Sequence, residues 1–300
     1  MSRRPQIALL ADGKRLHLQD GPIDLIVEAN GNETDVRAAY EAAARRFTGL
    51  LDELCAELTD LRRAAEPVRT ALKGVVARRM HAAVAPFAAD CFITPMAAVA
   101  GSVAEEILGA MLAAAPLYRA YVNNGGDIAL HLTGREQFTV GLMDRPDAQG
   151  AMRTMTVKAD DPVRGIATSG RHGRSFSLGI ADAVTVLAKT ASQADAAATV
   201  IANAVDLPGH PAIVRVPACE LQPDSDLGDR LVTREVGTLV EHEIEEALES
   251  GARCARQLLA SGLIEGASLR LLGETVVVGA REIVTPHAAH KNAVRNLLHV

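Results

Sequence analysis

The stretch AYVNNGGDIALHL, residues 120–132, decides the architecture because it places two apolar runs on either side of an Asn-Asn-Gly-Gly-Asp segment. Asn-Gly and Gly-Gly pairs suit turns that need positive φ, so the stretch predicts a β-hairpin and an antiparallel sheet. An unencumbered glycine backbone can also lie against a flat ring or a phosphate. Two interpretations of the turn therefore stay open: a plain hairpin turn and a ligand-binding turn.

Hydrophobic periodicity predicts the elements around this hairpin. Apolar residues recur at three- and four-residue steps from about Thr34 to Leu61, which predicts one long helix there. Further helices are predicted from Val99 to about Leu112 and from Leu239 to Ser261. Strands are predicted in RLHLQDGPIDLIVEA (a hairpin), FTVGLMD, AMRTMTVKA, GIATSG, DAVTVLAK, AIVRVPA and LRLLGETVVVG (a hairpin). Helices and β-rich stretches mix without strict βαβ alternation, which favours an α+β fold with antiparallel sheets packed against helices, in one domain over residues 1–300.

Composition excludes several classes of partner. The net charge of −6 and the aromatic content of 3% argue against nucleic acid, because such binding needs clustered basic residues or stacking rings. A phosphate-bearing ligand is therefore expected to be a small anionic molecule. The N-terminal apolar run meets charged residues too soon for a signal sequence, and no apolar stretch of about 18 residues is evident, so a cytoplasmic protein with no membrane partner is expected. A homodimer is compatible with a compact enzyme of this kind.

The four cysteines are widely separated and form no CxxC pair or zinc-type spacing. We interpret them as buried, reduced thiols.

The stretch TPMAAVAGSVAEE, residues 94–106, is rich in small side chains. Small residues allow a backbone to pass close to a ligand, and the carbonyl groups that precede the helix could face a cation. Tight helix packing by small side chains explains the same composition, and this segment alone favours that explanation.

The stretch RGIATSGRHGRSFSLG, residues 164–179, crowds glycines, arginines, a histidine and hydroxyls together. Backbone N–H groups of a Gly-rich loop can cradle anions, and Arg offers a fork suited to phosphate oxygens. It is not a Walker loop, because the Gly-Lys-Ser/Thr ending is absent. His172 could act as an acid or base or be a solvated loop residue, and Arg171 and Arg174 could instead pair with surface carboxylates.

The stretch SQADAAATVIANAV, residues 192–205, predicts a helix in which Asp195 and Thr199 share one face, since they are four residues apart. Carboxylate and hydroxyl oxygens are ligands for hard cations such as Mg²⁺. A capping role competes with this interpretation: Ser192 would be the N-cap and Asp195 the reciprocal capping carboxylate.

Taken in this order, the stretches resemble the ApbE superfamily, the flavin transferases that use FAD to attach FMN to proteins, and more closely an uncharacterised ApbE-like cytosolic family. TPMAAVAGSVAEE is similar to the ApbE stretch DLGAIAKGYAVD, and YVNNGGDI to LVNLGGDI. ATSG matches ATSG, and ADAAATVIANA resembles ADALATAL. The similarity is best from about Thr94 to Asn203, and the flanking sequence resembles the uncharacterised family along nearly the whole chain.

This resemblance implies an α+β fold around a pocket for FAD or FMN, with Mg²⁺ beside the pyrophosphate. It implies metal binding by the side chains of Asp195 and Thr199 and by the backbone carbonyl of Ala97 or Ala98. Cofactor contacts are expected at Asn124, Gly125, Gly126, Asp127, Thr168, Ser169, Gly170 and Glu105. Catalytic roles are expected for Asp195, His172, Arg171 and Arg174.

The chain also departs from the ApbE pattern. The ApbE lysine aligns with Ala100, the nearby Asp is Glu105, and HIIDPRTG has no counterpart after ATSG, where SFSLGIADAVTV stands. We therefore expect an ApbE-like protein of unknown reaction that binds a flavin, a nucleotide or another anionic ligand with a divalent cation. Two alternatives stay open: a non-catalytic flavin or anion carrier, and a pathway enzyme acting on a small carboxylated substrate.

Overall fold

The computed structural model describes residues 5–142, 153–279 and 297–299. In this part of the chain, helices pack against sheets that are antiparallel except for one parallel pair, which confirms the predicted α+β class. The strands are β1 (Gln6–Leu9), β2 (Leu16–Asp20), β3 (Ile23–Asn30), β4 (Arg119–Asn124), β5 (Asp127–Leu132), β6 (Gln137–Leu142), β7 (Arg153–Lys158), β8 (Gly165–Ser169), β9 (Ala183–Ala188), β10 (Ile213–Pro217), β11 (Leu231–Val236), β12 (Gly266–Leu271), β13 (Glu274–Val278) and β14 (Leu297–His299). The helices are α1 (Glu33–Phe47), α2 (Leu50–Ala56), α3 (Leu58–Leu61), α4 (Val75–Val84), α5 (Val99–Ala114), α6 (Ala191–Ala204), α7 (Ala218–Leu221) and α8 (Glu241–Ala260).

A nine-stranded sheet in the order β1-β2-β3-β4-β5-β8-β9-β12-β13 forms the centre of the fold. The hairpin predicted from residues 120–132 is confirmed as β4 and β5, which lie in the middle of this sheet. Asn124 pairs with Asp127 across the turn, so Gly125 and Gly126 lie at one end of the central strands β4 and β5.

The helices cover one face of this sheet. Apolar residues of α1, α4 and α5 pack on β2, β3 and β4, and those of α4, α6 and α8 pack on β8, β9 and β12. On the opposite face, β6 and β7 cover the centre through a third apolar cluster that includes Tyr121 and Phe138. The strands β10 and β11 form a separate hairpin.

The helix predicted from about Thr34 to Leu61 is wrong as a single element. It ends at Phe47, and a new helix begins at Leu50. The reason is Gly49, whose φ of 85° lies in the left-handed region that a continuing helix cannot use. Apolar periodicity runs across this break because all the segments face the same core.

Two further expectations need correction. The segment Pro95–Ala114 is long and apolar enough to cross a membrane by length and composition, although no such stretch was expected. Its buried side chains, such as Ile107 and Met111, belong to the core under the sheet, as in the core helix of a soluble domain. The cysteines are free as expected, but none of them is buried: Cys55 and Cys91 are exposed, and the other two are partly exposed.

Candidate functional site

The start of α6 differs from the capping interpretation of the sequence. The N-cap is Thr190, whose hydroxyl accepts a hydrogen bond from the Gln193 amide at 3.3 Å. Ser192 lies inside the helix, so Asp195 is not the third helical residue after a Ser192 cap. The expectation of a Ser192–Asp195 capping pair is therefore wrong.

Asp195 instead reaches the neighbouring helix. Its Oδ2 accepts a hydrogen bond from the Gly101 amide at 3.0 Å, and the Ala100 amide also bonds its carboxylate. These amides belong to the first turn of α5, which begins at Val99 and has no side-chain cap of its own. Because the first amides of a helix lack partners within the helix, the α6 carboxylate acts as a remote cap of α5.

Glu105 makes the reverse contact from α5 to α6. Its Oε1 accepts a hydrogen bond from the Ser192 amide at 2.6 Å, and its Oε2 lies 3.3 Å from Arg79 Nε. The two helices approach closely at Gly101, where an added Cβ would lie 2.3 Å from the Ala191 carbonyl oxygen. Each helix thus supplies a carboxylate to the amino end of the other.

The Gly-Gly turn lies beside this crossing. Gly125 and Gly126 have φ values of 66° and 114°, as expected for a turn that needs positive φ. The Asn124 side-chain amide donates to the Ala100 carbonyl at 3.2 Å, and Asp127 Oδ1 accepts from the Thr168 amide at 3.2 Å. These bonds tie the turn to α5 on one side and to β8 on the other.

Asp127 and Asp195 form a pair of like charges, which we call the carboxylate corner. Burial raises the pKa of Asp127 to about 7, although the Thr168 amide acts in the opposite direction. Burial also raises the pKa of Asp195 well above its ordinary value, and the negative charge of Asp127 raises it further, against the Gly101 and Ala100 amides. No Lys or Arg of the described residues is among the groups that shift these two pKa values. The two carboxyl groups therefore keep their protons to an unusually high pH, and no described side chain supplies the positive charge that would favour ionising both.

The remaining expected metal ligands lie near this corner. Thr199 is one helical turn after Asp195 on α6, is partly buried, and its hydroxyl makes no hydrogen bond to any described residue. Ala97 and Ala98 end the short 3₁₀ turn that leads into α5, just before the amides that bind Asp195. Among residues 5–142 and 153–279, no group of three or more His, Cys, Asp and Glu side chains could hold a metal ion. A cation here would thus need hydroxyl, carbonyl or ligand oxygens besides the two carboxylates.

The loop after β8 divides its basic residues between two places. Arg171 donates from Nε and Nη2 to Asp182 Oδ1 at 2.9 and 2.5 Å, and His172 Nε2 lies 3.2 Å from the same oxygen. Arg174 is exposed, and its guanidinium carbon would lie 3.6 Å from a Cβ on Gly125. The loop therefore brings Arg174 to the turn, whereas Arg171 and His172 contact Asp182. The pairing of Arg171 with a carboxylate was foreseen, but that carboxylate is buried and not on the surface.

Glycines in this region have a packing explanation. An added Cβ would lie 2.1 Å from Thr190 at Gly165, 2.5 Å from the Asp182 carbonyl at Gly170, and 2.2 Å from the Ala202 carbonyl at Gly179. Close backbone contact therefore accounts for these glycines without an anion. Of the other expected cofactor residues, Thr168 bonds Thr185 through its hydroxyl at 2.8 Å, and Ser169 ends β8 in a partly buried position.

Sequence reasoning missed Asp182. Its second carboxylate oxygen accepts from the Leu272 amide at 2.6 Å, so it joins the loop after β8 to the β12–β13 turn. The available signal was a single acidic residue inside the apolar run GIADAVTVLA. A charge that is isolated in such a run is expected to be buried and paired.

Comparisons with known proteins agree with the resemblance seen in the motifs. A UPF0280 protein of Methanopyrus kandleri is 38% identical over 183 residues, which cover 60% of this chain and 69% of that protein. A UPF0280 protein of Methanobrevibacter smithii is 37% identical over 129 residues, 43% of this chain and 51% of the relative. One from Methanococcoides burtonii is 39% identical over 127 residues, so the chain spans about half the length of these last two relatives.

A solved structure, the apo form of the flavinyl transferase ApbE of Pseudomonas stutzeri, matches over 93% of this chain and 95% of its own, with a TM-score of 0.47 and 12% identity. A likeness of this size identifies neither a ligand nor a reaction. The model of the family described as AbpE bacteria matches residues 7–277, which is most of the chain. This protein therefore belongs to the AbpE bacteria family.

Proposed function

We propose that this protein binds a small anionic ligand, a flavin or another nucleotide, together with a divalent cation at the carboxylate corner. The observation that carries the proposal is that Asp127 and Asp195 are two partly buried carboxyl groups whose negative charges, when both are ionised, repel each other. Burial and mutual repulsion make it costly to ionise both carboxyl groups, so they keep their protons unless a cation compensates their charges. A divalent cation would remove this cost.

The donor set favours a hard cation. Carboxylate oxygens are present at Asp127 and Asp195, and the Thr199 hydroxyl makes no protein hydrogen bond within the described residues. Mg²⁺ binds such oxygens and commonly completes its coordination with waters and substrate phosphates. This preference connects the cation with a phosphate-bearing ligand.

Arg174 supplies positive charge on the other side of the turn. One of its N–H groups donates to the Pro22 carbonyl at 3.2 Å, and its remaining donors make no bond to a described residue. A guanidinium with free donors can bind phosphate oxygens. An anion that bridges Arg174 and the cation would thus lie along the Gly125–Gly126 backbone.

If FAD is the substrate, an acceptor hydroxyl or water would form a new P–O bond to the FMN phosphorus as the phosphoanhydride bond breaks and AMP leaves. Asp127 and Asp195 would hold a cation that neutralises the pyrophosphate charge. Arg174 would then bind the phosphate oxygens, and Asp195 would keep its position through the α5 amides. The proposal places this chemistry in the cytoplasm, in a monomer or homodimer, without a nucleic acid or membrane partner.

A second candidate is a non-catalytic carrier of a flavin or another anion. It is favoured by the contacts of Arg171 and His172 with Asp182, because they direct two of the expected catalytic side chains to a structural carboxylate. A carrier would hold its ligand without changing it.

The test measures Mn²⁺ binding by calorimetry, thermal shifts with FAD, FMN and ADP in the presence and absence of Mg²⁺, and the products of FAD by mass spectrometry. In Asp195→Asn the Gly101 amide keeps an acceptor, so the fold should survive while Mn²⁺ affinity falls at least about tenfold, or about 1.4 kcal/mol. Asp60→Asn is the control, since this carboxylate pairs with Arg63 on the surface. Unchanged Mn²⁺ binding by Asp195→Asn overturns the proposal, and a bound flavin without turnover selects the carrier.

A further inference from the structure

We infer that Glu105 is a positioning residue that holds the amino end of α6 against α5 and thereby sets the geometry of the carboxylate corner. This inference rests on the proposed function, because it assigns the residue that keeps the proposed cation ligands in place. The resemblance to ApbE proteins implied a cofactor contact for Glu105, whereas the role inferred here rests on its hydrogen bond from the Ser192 amide.

The first observation is where the Glu105 carboxylate binds. Its Oε1 accepts from the Ser192 amide at 2.6 Å, and Ser192 is a buried residue in the first turn of α6. Asp195 lies three residues further along the same helix. A shift of this first turn would therefore move Asp195 and Thr199 together.

The second observation is that the hydrogen bond of Asp195 to α5 and that of Glu105 to α6 together link the two helices at two points. Asp195 bonds the Gly101 amide, Gly101 lies one turn before Glu105 on α5, and Glu105 bonds Ser192. The helices meet with so little space at Gly101 that the Ala191 carbonyl would lie 2.3 Å from an added Cβ. Rotation of α6 is thus limited by the packing, and sliding is limited by the two carboxylate–amide hydrogen bonds at its amino end.

The third observation is that Glu105 is itself held in place. Arg79 lies 3.3 Å from Glu105 Oε2 and 2.9 Å from Glu106 Oε2, and it donates to the Ser102 carbonyl at 3.1 Å. Arg79 belongs to α4, so three helices fix the position of the Glu105 carboxylate. A side chain oriented this way reaches the α6 amide without needing a ligand.

Glu106 offers a matched control on the same helix. It pairs with Arg46 at 2.7 Å and with Arg79 at 2.9 Å, and no contact with α6 is found for it in the described part of the chain. Glu106→Ala removes a partly buried ion-pair network of α5 and leaves the Ser192 contact in place. Any effect of general destabilisation should therefore appear in both variants.

The experiment compares Glu105→Ala, Glu105→Gln and Glu106→Ala in the full chain by Mn²⁺ calorimetry and by amide hydrogen exchange. Glu105→Ala should weaken Mn²⁺ binding at least about tenfold and speed exchange at Ser192 and Gly101. Glu105→Gln keeps an oxygen acceptor for the Ser192 amide, so it should bind Mn²⁺ within about threefold of the unmodified chain. Glu106→Ala should stay within about twofold even where it lowers the melting temperature more.

The positioning role is overturned if Glu105→Ala binds Mn²⁺ like the unmodified chain, or if Glu106→Ala weakens binding equally. It is also overturned if exchange at Ser192 and Gly101 stays unchanged in Glu105→Ala. A failure of the unmodified chain to bind Mn²⁺ overturns the proposed function instead, and the exchange data then decide whether Glu105 holds α6 at all.

Discussion

Two carboxylate sites in this molecule, one buried and one partly buried, are built in opposite ways. Asp182 is surrounded by donors: Arg171, His172 and the Leu272 amide all contact its oxygens. The charge of Asp127 raises the pKa of Asp195, and only backbone amides lower the pKa values of these two groups among the described groups. Asp182, which joins two loops, is paired with the Arg171 guanidinium, whereas the carboxylate corner has no such cationic partner among the described side chains and favours its protonated forms.

This difference distinguishes Asp182, which has a structural role, from the carboxylate corner, which is proposed to bind a ligand. Asp182 and Arg171 have side chains that are 8% and 13% exposed, so their pairing joins the loop after β8 to the rest of the sheet. The corner lies at the turn between the central strands, where α5 and α6 cross. Groups whose pKa values are strongly shifted by burial and by a specific charged neighbour cluster at functional sites.

The largest effect is expected from Asp182→Ala. This change leaves the Arg171 guanidinium buried without its partner, which costs about 3–5 kcal/mol. Urea unfolding of the metal-free chain measures this loss. A loss under about 1 kcal/mol would show that Asp182 is not a structural counterpart to the corner.

The next effect concerns pH and Asp127. Its pKa is raised from 3.8 to about 7 in the folded chain, so the folded state binds the proton more tightly than the unfolded state. This contribution to stability is present below about pH 4 and is lost as the pH rises through 7. Metal-free protein should lose roughly 2 kcal/mol over this range, a value reduced from the full linkage of about 1.4 kcal/mol per unit because solvent screens a partly exposed group.

Asp127→Asn tests this pH dependence directly. Urea unfolding in the presence of a chelator should show a flatter pH profile between pH 4 and 8 than the unmodified chain. Added Mg²⁺ should restore stability at pH 8 in the unmodified chain only. An identical pH slope in both proteins would mean that Asp127 is not the group that titrates.

The smallest effect is expected from Arg174→Ala. The guanidinium is exposed over the Gly-Gly turn, so its loss should change the free energy of unfolding by no more than about 0.5 kcal/mol. Affinity for FAD or ADP should fall about tenfold, measured by calorimetry with Mg²⁺ present. Arg45→Ala, which removes an exposed arginine paired with Glu41, is the control. Equal affinities in both variants would separate Arg174 from the anion.

Local patterns were enough to predict much of the fold. The hairpin at 120–132, the helix from Val99 and the closing hairpin after Leu269 follow from apolar alternation and glycine turns. Gly49 was overlooked because a left-handed residue between two helices leaves the apolar periodicity intact. Helix α4 was not predicted, although Val76, Met80, Ala83 and Val84 follow a helical spacing that could have indicated it. Strand β11 was not predicted either, so the β10–β11 pairing, which joins residues distant in sequence, was missed.

The sequence predicted several residues of the site but not the contacts between them. Spacing on α6 indicated that Asp195 and Thr199 share a face, and the turn indicated that Asp127 follows two glycines. Nothing in the local sequence shows that Asp195 would bond the first turn of α5, or that Asp127 would face it. Such contacts join residues 94 and 68 positions apart, and they depend on how the helices lie on the sheet.

The residue at the position of Gly101 also divides relatives of this chain into those with glycine there and those with a larger side chain. On the same helix, Gly109 has nothing within 4 Å of an added Cβ, so a methyl group there is harmless, while at Gly101 it would strike the Ala191 backbone. A related protein with any side chain in place of Gly101 must hold its equivalents of α5 and α6 further apart. The residue at the Gly101 position would therefore indicate which family members can form the carboxylate corner and which must bind a different ligand.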